Sequence, residues 1–190
     1  TSIKIKKQKL FKQIKTKKRM VYNAVLDVVF TNVNATEPLT QLEVQNWLRL
    51  SSETDVALAL LTAKSARVIC ETYANISFTT RKVTATICNL QGDILLPYTP
   101  YVSELKVYDE LGVEIIDVEY RYIAGGLVNL ITPKNEWLRV EYNAGYATTP
   151  QIFIDAIKQQ LAYMWENRGD ESVGIFNLAK ATLKPFRKVM

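Results

Sequence analysis

Residues 137–170 read WLRVEYNAGYATTPQIFIDAIKQQLAYMWENRGD, and this stretch decides the fold. In its first part Leu138, Val140 and Tyr142 alternate with Arg139 and Glu141, the period of a strand with one buried face. Gly145 follows, admits backbone angles that other residues resist, and ends the strand. Thr149 then offers a helix cap with Pro150 at the first helical position, and Ile154, Ile157, Leu161 and Met164 recur at spacings of three and four. Gly169 stops that helix. A strand joined by a glycine turn to an amphipathic helix makes this a chain of mixed class.

Upstream the period is 2 over about residues 79–143, an antiparallel β region. Val83, Ala85 and Ile87 alternate with Thr84 and Thr86, and Leu105 and Val107 with Glu104 and Lys106. Asp109–Gly112, Gly125-Gly126 and Pro133–Glu136 divide it as turns, and Pro97 and Pro100 bracket a segment that is no central strand. The tyrosines Tyr98, Tyr101, Tyr108, Tyr120 and Tyr122 fit cross-strand packing better than a base-stacking platform, because basic residues do not interleave them densely. Before this region the period is 3.6. Thr40 and Glu43 form a capping box ahead of Val44, Trp47 and Leu48, and Ser52 with Asp55 repeats the signal. Val56, Ala59, Ala63, Ala66, Cys70 and Tyr73 then make one face of a long helix, while Leu58, Leu61 and Ile69 lie off it and call for a second neighbour. Val25–Phe30 reads as a short strand.

The expected fold is therefore α+β: a small helical bundle (helices at about 40–50, 53–75 and 150–167) with an inserted antiparallel β region, a basic N-terminal arm and an extended C-terminal tail. The chain of 190 residues is long enough for a core without staples. Cys70 and Cys88 have no histidine partners and read as buried thiols rather than a metal site or disulfide framework. With no apolar run of spanning length and no secretory core at the start, the expectation is a protein of a reducing cytoplasm that does not enter membranes.

Charge is uneven. Residues 1–19 hold eight lysines, one arginine and no acid, so the 24 bases of the chain leave 15 from Met20 onward against 19 acids, a net charge near −4. The arm is either solvated or a contact for phosphates or an acidic protein surface. Leu10, Phe11 and Ile14 among the charges favour contact, which Lys4, Lys6, Lys7, Lys9, Lys12, Lys15, Lys17, Lys18 and Arg19 would supply. At the other end Ile175, Phe176, Leu178, Leu183, Phe186 and Val189 are spread among Lys180, Lys184, Arg187 and Lys188. This tail either folds back on its domain or is a docking peptide that orders on a partner.

Zero histidines removes the commonest general base, the usual nucleophile–histidine pairs and most zinc sites. No P-loop or GxGxxG is present, and the acid pairs Asp109/Glu110, Glu114/Asp117 and Asp170/Glu171 read as solvated carboxylates. No catalytic role, cofactor or metal is expected.

The 137–170 stretch resembles the head-tail connector (adaptor, or head-completion) proteins of tailed bacteriophages, in which a strand, an AGY-like turn, a proline-started helix and an EN[RK] ending occur together. TEPLTQLEVQNWLRL (Thr36–Leu50) is similar to that family's TEPVTLxEAKxHLR opening, and DILLPYTPYVSELKVYDELG (Asp93–Gly112) to its LPxxPV-x-V-x-V-x-YxDxxG segment, all in the family's order. The likeness spans roughly residues 36–168 and implies a connector domain at 23–169, flanked by an arm at 1–22 and a docking tail at 170–190. It implies a ring under the portal, with twelve copies, that extends the DNA channel and joins capsid to neck or tail in the virion, assembled in the host cytoplasm. Partners would be further copies of the chain, the portal protein, a downstream neck or tail protein and genomic DNA. Portal docking would fall to Ile175, Phe176, Leu178, Leu183, Phe186 and Arg187. Asn46-Trp47 replaces the family's small-polar–histidine pair, and the lysine-rich start lies outside the pattern. The rival reading is a DNA-binding protein that uses the arm on phosphates, although the long helix offers only Lys64 and Arg67 as bases.

Overall fold

The computed structural model describes residues 24–31, 36–89, 93–116, 118–123, 126–131, 135–169 and 174–188. The lysine arm lies outside these residues, as do Asp117, Asp170 and Glu171. Among the described residues the strands are β1 (Ala24–Thr31), β2 (Arg81–Asn89), β3 (Asp93–Leu95), β4 (Tyr101–Tyr108), β5 (Glu119–Ile123), β6 (Leu127–Ile131) and β7 (Asn135–Ala144). The helices are α1 (Gln41–Leu48), α2 (Glu53–Ala74), α3 (Gln151–Glu166) and α4 (Asn177–Leu183), the last followed by a 3-10 turn at Lys184–Phe186. The chain is thus α+β.

Local chemistry sets the helix starts. Glu43 N–H donates to Thr40 Oγ1 at 3.3 Å and Thr40 N–H to Glu43 Oε2 at 2.9 Å, the reciprocal box that opens α1. Ser52 Oγ accepts from Asp55 N–H and opens α2, which ends at Asn75 in the left-handed region. At α3 the cap is Pro150 rather than Thr149, because the Thr149 hydroxyl donates instead to the Phe78 carbonyl at 2.8 Å and ties the helix start to the end of the α2–β2 link. Gly145 has φ +125°, and a Cβ there would sit 2.1 Å from the Thr79 carbonyl oxygen. The turn that joins sheet to helix therefore admits only glycine.

The strands form two antiparallel sheets, ordered β1-β2-β7-β4 and β3-β6-β5. Val83, Ala85 and Ile87 pair with Tyr142, Val140 and Leu138, so the inward residues of β2 and β7 stand side by side. Together with Ile94, Leu96, Val128 and Leu130 of the smaller sheet they make one apolar cluster between the sheets. Glu104 sits at φ +59° where the β4–β7 register shifts, so this edge strand is bulged. A second cluster packs α2 against α3, with Ala59, Ala63, Ala66 and Cys70 facing Phe153, Ala156, Ile157 and Leu161. Small residues on α2 let the two axes approach closely.

The expectation of an extended C-terminal tail is corrected over residues 174–188, which fold back on α3. The buried Gln160 side chain donates to the Gly174 carbonyl at 3.0 Å and accepts from Phe176 N–H at 2.7 Å, gripping the segment as it enters. Phe176 stacks on Tyr163 with centroids 4.7 Å apart, and Leu183 is fully buried in the helical core. The segment closes where Lys188 N–H donates to the Ala74 carbonyl at 2.9 Å and Asn75 Nδ2 to the Lys188 carbonyl at 2.8 Å.

Candidate interaction surfaces

Helices and sheet meet at a buried cluster of charge. Glu71 receives Arg67 Nη1 at 2.7 Å, Arg81 Nη2 at 2.9 Å and the Phe78 N–H at 2.7 Å. Arg67 also pairs with Glu37 at 2.9 Å, and the Arg81 guanidinium lies 3.7 Å from the Phe30 ring centre. Two acids face two bases, so the cluster is neutral, and every carboxylate oxygen of Glu71 is occupied. Burial raises the Glu71 carboxyl above its ordinary value, opposed by Arg81, by Arg67 and by the Phe78 N–H. Burial, with the Glu71 charge beside it, pushes the Cys70 thiol up to about 12, which leaves it without nucleophilic character at neutral pH. The cluster joins β1, the segment before α1, α2 and β2; it is structural. It was missed in the sequence, where only the Arg67–Glu71 spacing of four hints at it. It also removes Arg67 from the bases that α2 could offer to DNA.

Outside the two cores several apolar faces are exposed. On α2, Leu58, Leu61 and Val68 are 47%, 61% and 48% exposed at spacings of three and seven, a stripe with no cover within the described residues. Ile69, expected with them, is half-buried. Trp47, where the sequence departs from the connector pattern, lies across α3 and donates from Nε1 to the Lys158 carbonyl at 2.9 Å. The tyrosines split. Tyr142 is buried, with its hydroxyl accepting from Tyr98 N–H at 3.0 Å. Tyr101, Tyr120 and Tyr122 cluster at the open end of the smaller sheet, with centroids 5.5 to 6.2 Å apart.

The proposed portal-docking residues are brought together in one segment, but on different sides of it. Leu183 is inside, Ile175 and Phe176 are half-buried, and Leu178, Phe186 and Arg187 face solvent, Arg187 with its guanidinium 5.0 Å from the Tyr73 ring centre. Leu183 is thereby withdrawn from any docking surface that leaves the helix in place. Among the described residues no group of three acids or cysteines could hold a metal, and no helix is long and apolar enough to cross a membrane. Asp109 Oδ1 accepts from the N–H groups of Leu111 and Val113, so this acid shapes a turn.

No protein-family model matches the chain, and neither does any curated protein. Solved structures do. A chain in the neck of the empty gene transfer agent (GTA) particle, with C6 symmetry, aligns at TM-score 0.67 and 17% identity over 87% of this chain and 97% of its own length. A chain in the virion of the native gene transfer agent particle aligns at 0.67 and 18% over the same shares. A chain in the neck of the native particle with C12 symmetry aligns at 0.59 and 18%, over 85% and 96%. At such identity the likeness is one of fold, and it runs nearly end to end: this chain is folded as chains of the gene transfer agent neck and virion are.

Proposed function

We propose that this chain is a structural subunit of the neck of a tailed phage or phage-like particle, a head-tail connector that forms a ring beneath the portal and extends the DNA channel toward the tail. The observation that carries this reading is the correspondence of fold with a neck chain over 97% of that chain's length. Two observations support it. The uncovered stripe Leu58, Leu61 and Val68 is the kind of face a neighbouring copy covers in a ring. The C6 and C12 symmetry of the two neck structures fits a ring of twelve copies, the number that the resemblance also implies. The chain has no catalytic role in this proposal and resides at the head-tail junction of the virion after assembly in the host cytoplasm.

Portal engagement falls to the exposed side of the C-terminal segment, at Leu178, Phe186 and Arg187, with Ile175 and Phe176 at its margin. The other face of the ring receives the downstream neck or tail protein. The basic residues from Lys4 to Arg19 supply positive charge for contact with an acidic protein surface. The test is the mass of the full chain in solution, alone and with purified portal rings. The reading expects a portal complex carrying a full ring of copies, reduced by Leu178→Asp and Phe186→Asp together. A chain that stays monomeric with portal rings present overturns it.

A further inference from the structure

Among the described residues the two most exposed large apolar side chains, Leu111 at 83% and Ile116 at 81%, sit on the connection between β4 and β5, with Val113 at 60% between them. They are not on a slack loop. Asp109 Oδ1 holds the N–H groups of Leu111 and Val113 at 2.9 Å each, and Ile115 N–H donates to the Val107 carbonyl at 2.8 Å. β5, which follows, is exposed along its whole length, and β6 pairs with one edge of it. Glu110, Glu114 and Glu119 are exposed around this face and form no ion pair among the described residues, while Lys106 and Arg121 are the bases near it in sequence. The face is apolar, acidic at its rim, pinned in shape and uncovered by the described residues.

We propose that residues 1–19 of the same chain cover it. Charge complementarity is the first argument: those residues hold eight lysines and one arginine with no acid, against a rim of unpaired carboxylates. Leu10, Phe11 and Ile14 are the second, because a segment that only neutralised the rim would need no apolar side chains, and these match Leu111, Val113 and Ile116. Placement is the third. The rungs Val25–Ile87–Leu138 and Tyr108–Arg139 put the start of β1 and the exit of β4 at the same end of the larger sheet. Three strand spacings separate them, about 14 Å. Residues 20–23, if extended, span about 13 Å, so the basic segment starts within reach of the turn. Docked there, the arm shields the apolar turn and is held back from other polyanions. The inference rests on the reading of the arm as a contact for an acidic surface and is independent of the neck assignment.

The test is zero-length carbodiimide cross-linking of the full chain at low salt, in an equal mixture of heavy-nitrogen-labelled and unlabelled protein, read by mass spectrometry. The expected result is amide links from arm lysines to Glu110, Glu114 and Glu119 within isotopically uniform chains. Their yield falls several-fold at physiological salt, as an exposed charged contact requires. In the E110Q/E114Q/E119Q variant, the release of the arm is read as several-fold faster trypsin cleavage at the arm lysines, while thermal melting is unchanged. Links to other carboxylates, or none, overturn the proposal. Isotopically mixed links seat the arm on a second copy and overturn it. An arm that is cleaved equally fast in both proteins, and is protected only by added duplex DNA, overturns it in favour of phosphate binding.

Discussion

Two short segments of this molecule carry opposite charge and have opposite fates. Residues 174–188 and the β4–β5 connection both mix branched or aromatic side chains with charge, yet Leu183 is fully buried and Leu111 is 83% exposed. What separates them is a prepared receptor. The C-terminal segment meets Gln160, which satisfies a carbonyl and an N–H at its entry, and the Tyr163 ring, on which Phe176 stacks. Among the described residues Leu111 and Val113 of the connection are held by its own Asp109, and no such receptor closes over their side chains. Burial follows from polar groups that satisfy the incoming backbone, and apolar content alone does not secure it.

The largest effect expected is at the charge cluster, where the receptor principle is strictest. Glu71→Ala leaves Arg67 and Arg81 buried with one partner fewer, which should cost about 3–5 kcal/mol in a urea melt. A loss near zero would show that water repairs the site. Next, Leu183→Ala should cost about 3 kcal/mol and Leu178→Ala, on the same helix but 53% exposed, within about 0.5 kcal/mol. Equal effects would return the segment to the status of a free tail; removal of residues 175–190 should be strongly destabilising for the same reason. Gln160→Ala, which orphans one N–H and one carbonyl, should cost about 2 kcal/mol and raise amide exchange in residues 174–178.

Smaller effects test exposed charge. The Glu141 carboxyl is held below its ordinary 4.5 first by the hydrogen bond from Lys82, against some burial, and then by the charges of Lys82 and Arg139. Its contribution is complete above pH 4.5 and is lost as pH falls through the lowered folded value. Because Lys82 is 39% exposed, the effect is under about 1 kcal/mol, and Glu141→Gln should flatten the acid limb of stability by that amount. Smallest is Leu111→Ser, expected within about 0.5 kcal/mol of no change in thermal melting. A clear loss would mean that the turn supports the folded domain itself, beyond any contact with the arm.

The elements were legible because their signals are local. The capping box at Thr40 and Glu43, the alternation Val83, Ala85, Ile87 and the small-residue face of α2 each need only a few neighbouring residues to define them. The α3 cap was misplaced by one residue because the Thr149 hydroxyl serves Phe78, which is 71 positions away. The grip of Gln160 was invisible for the same reason: a glutamine on a helix reads as a solvated residue until the segment it holds is in place. Arg67 read as an available base and is 5% exposed, paired with Glu37 thirty positions upstream.

By itself the sequence determined the class of fold, three helices about an antiparallel β region, and the glycine at position 145. Periodicity and backbone sterics are properties of adjacent residues. Only the tertiary structure decided which charges are hidden, that the last helix is part of the core, and that the described residues leave the β4–β5 turn open. Desolvation is decided by whichever distant groups arrive to replace water, and no spacing along the chain records their arrival.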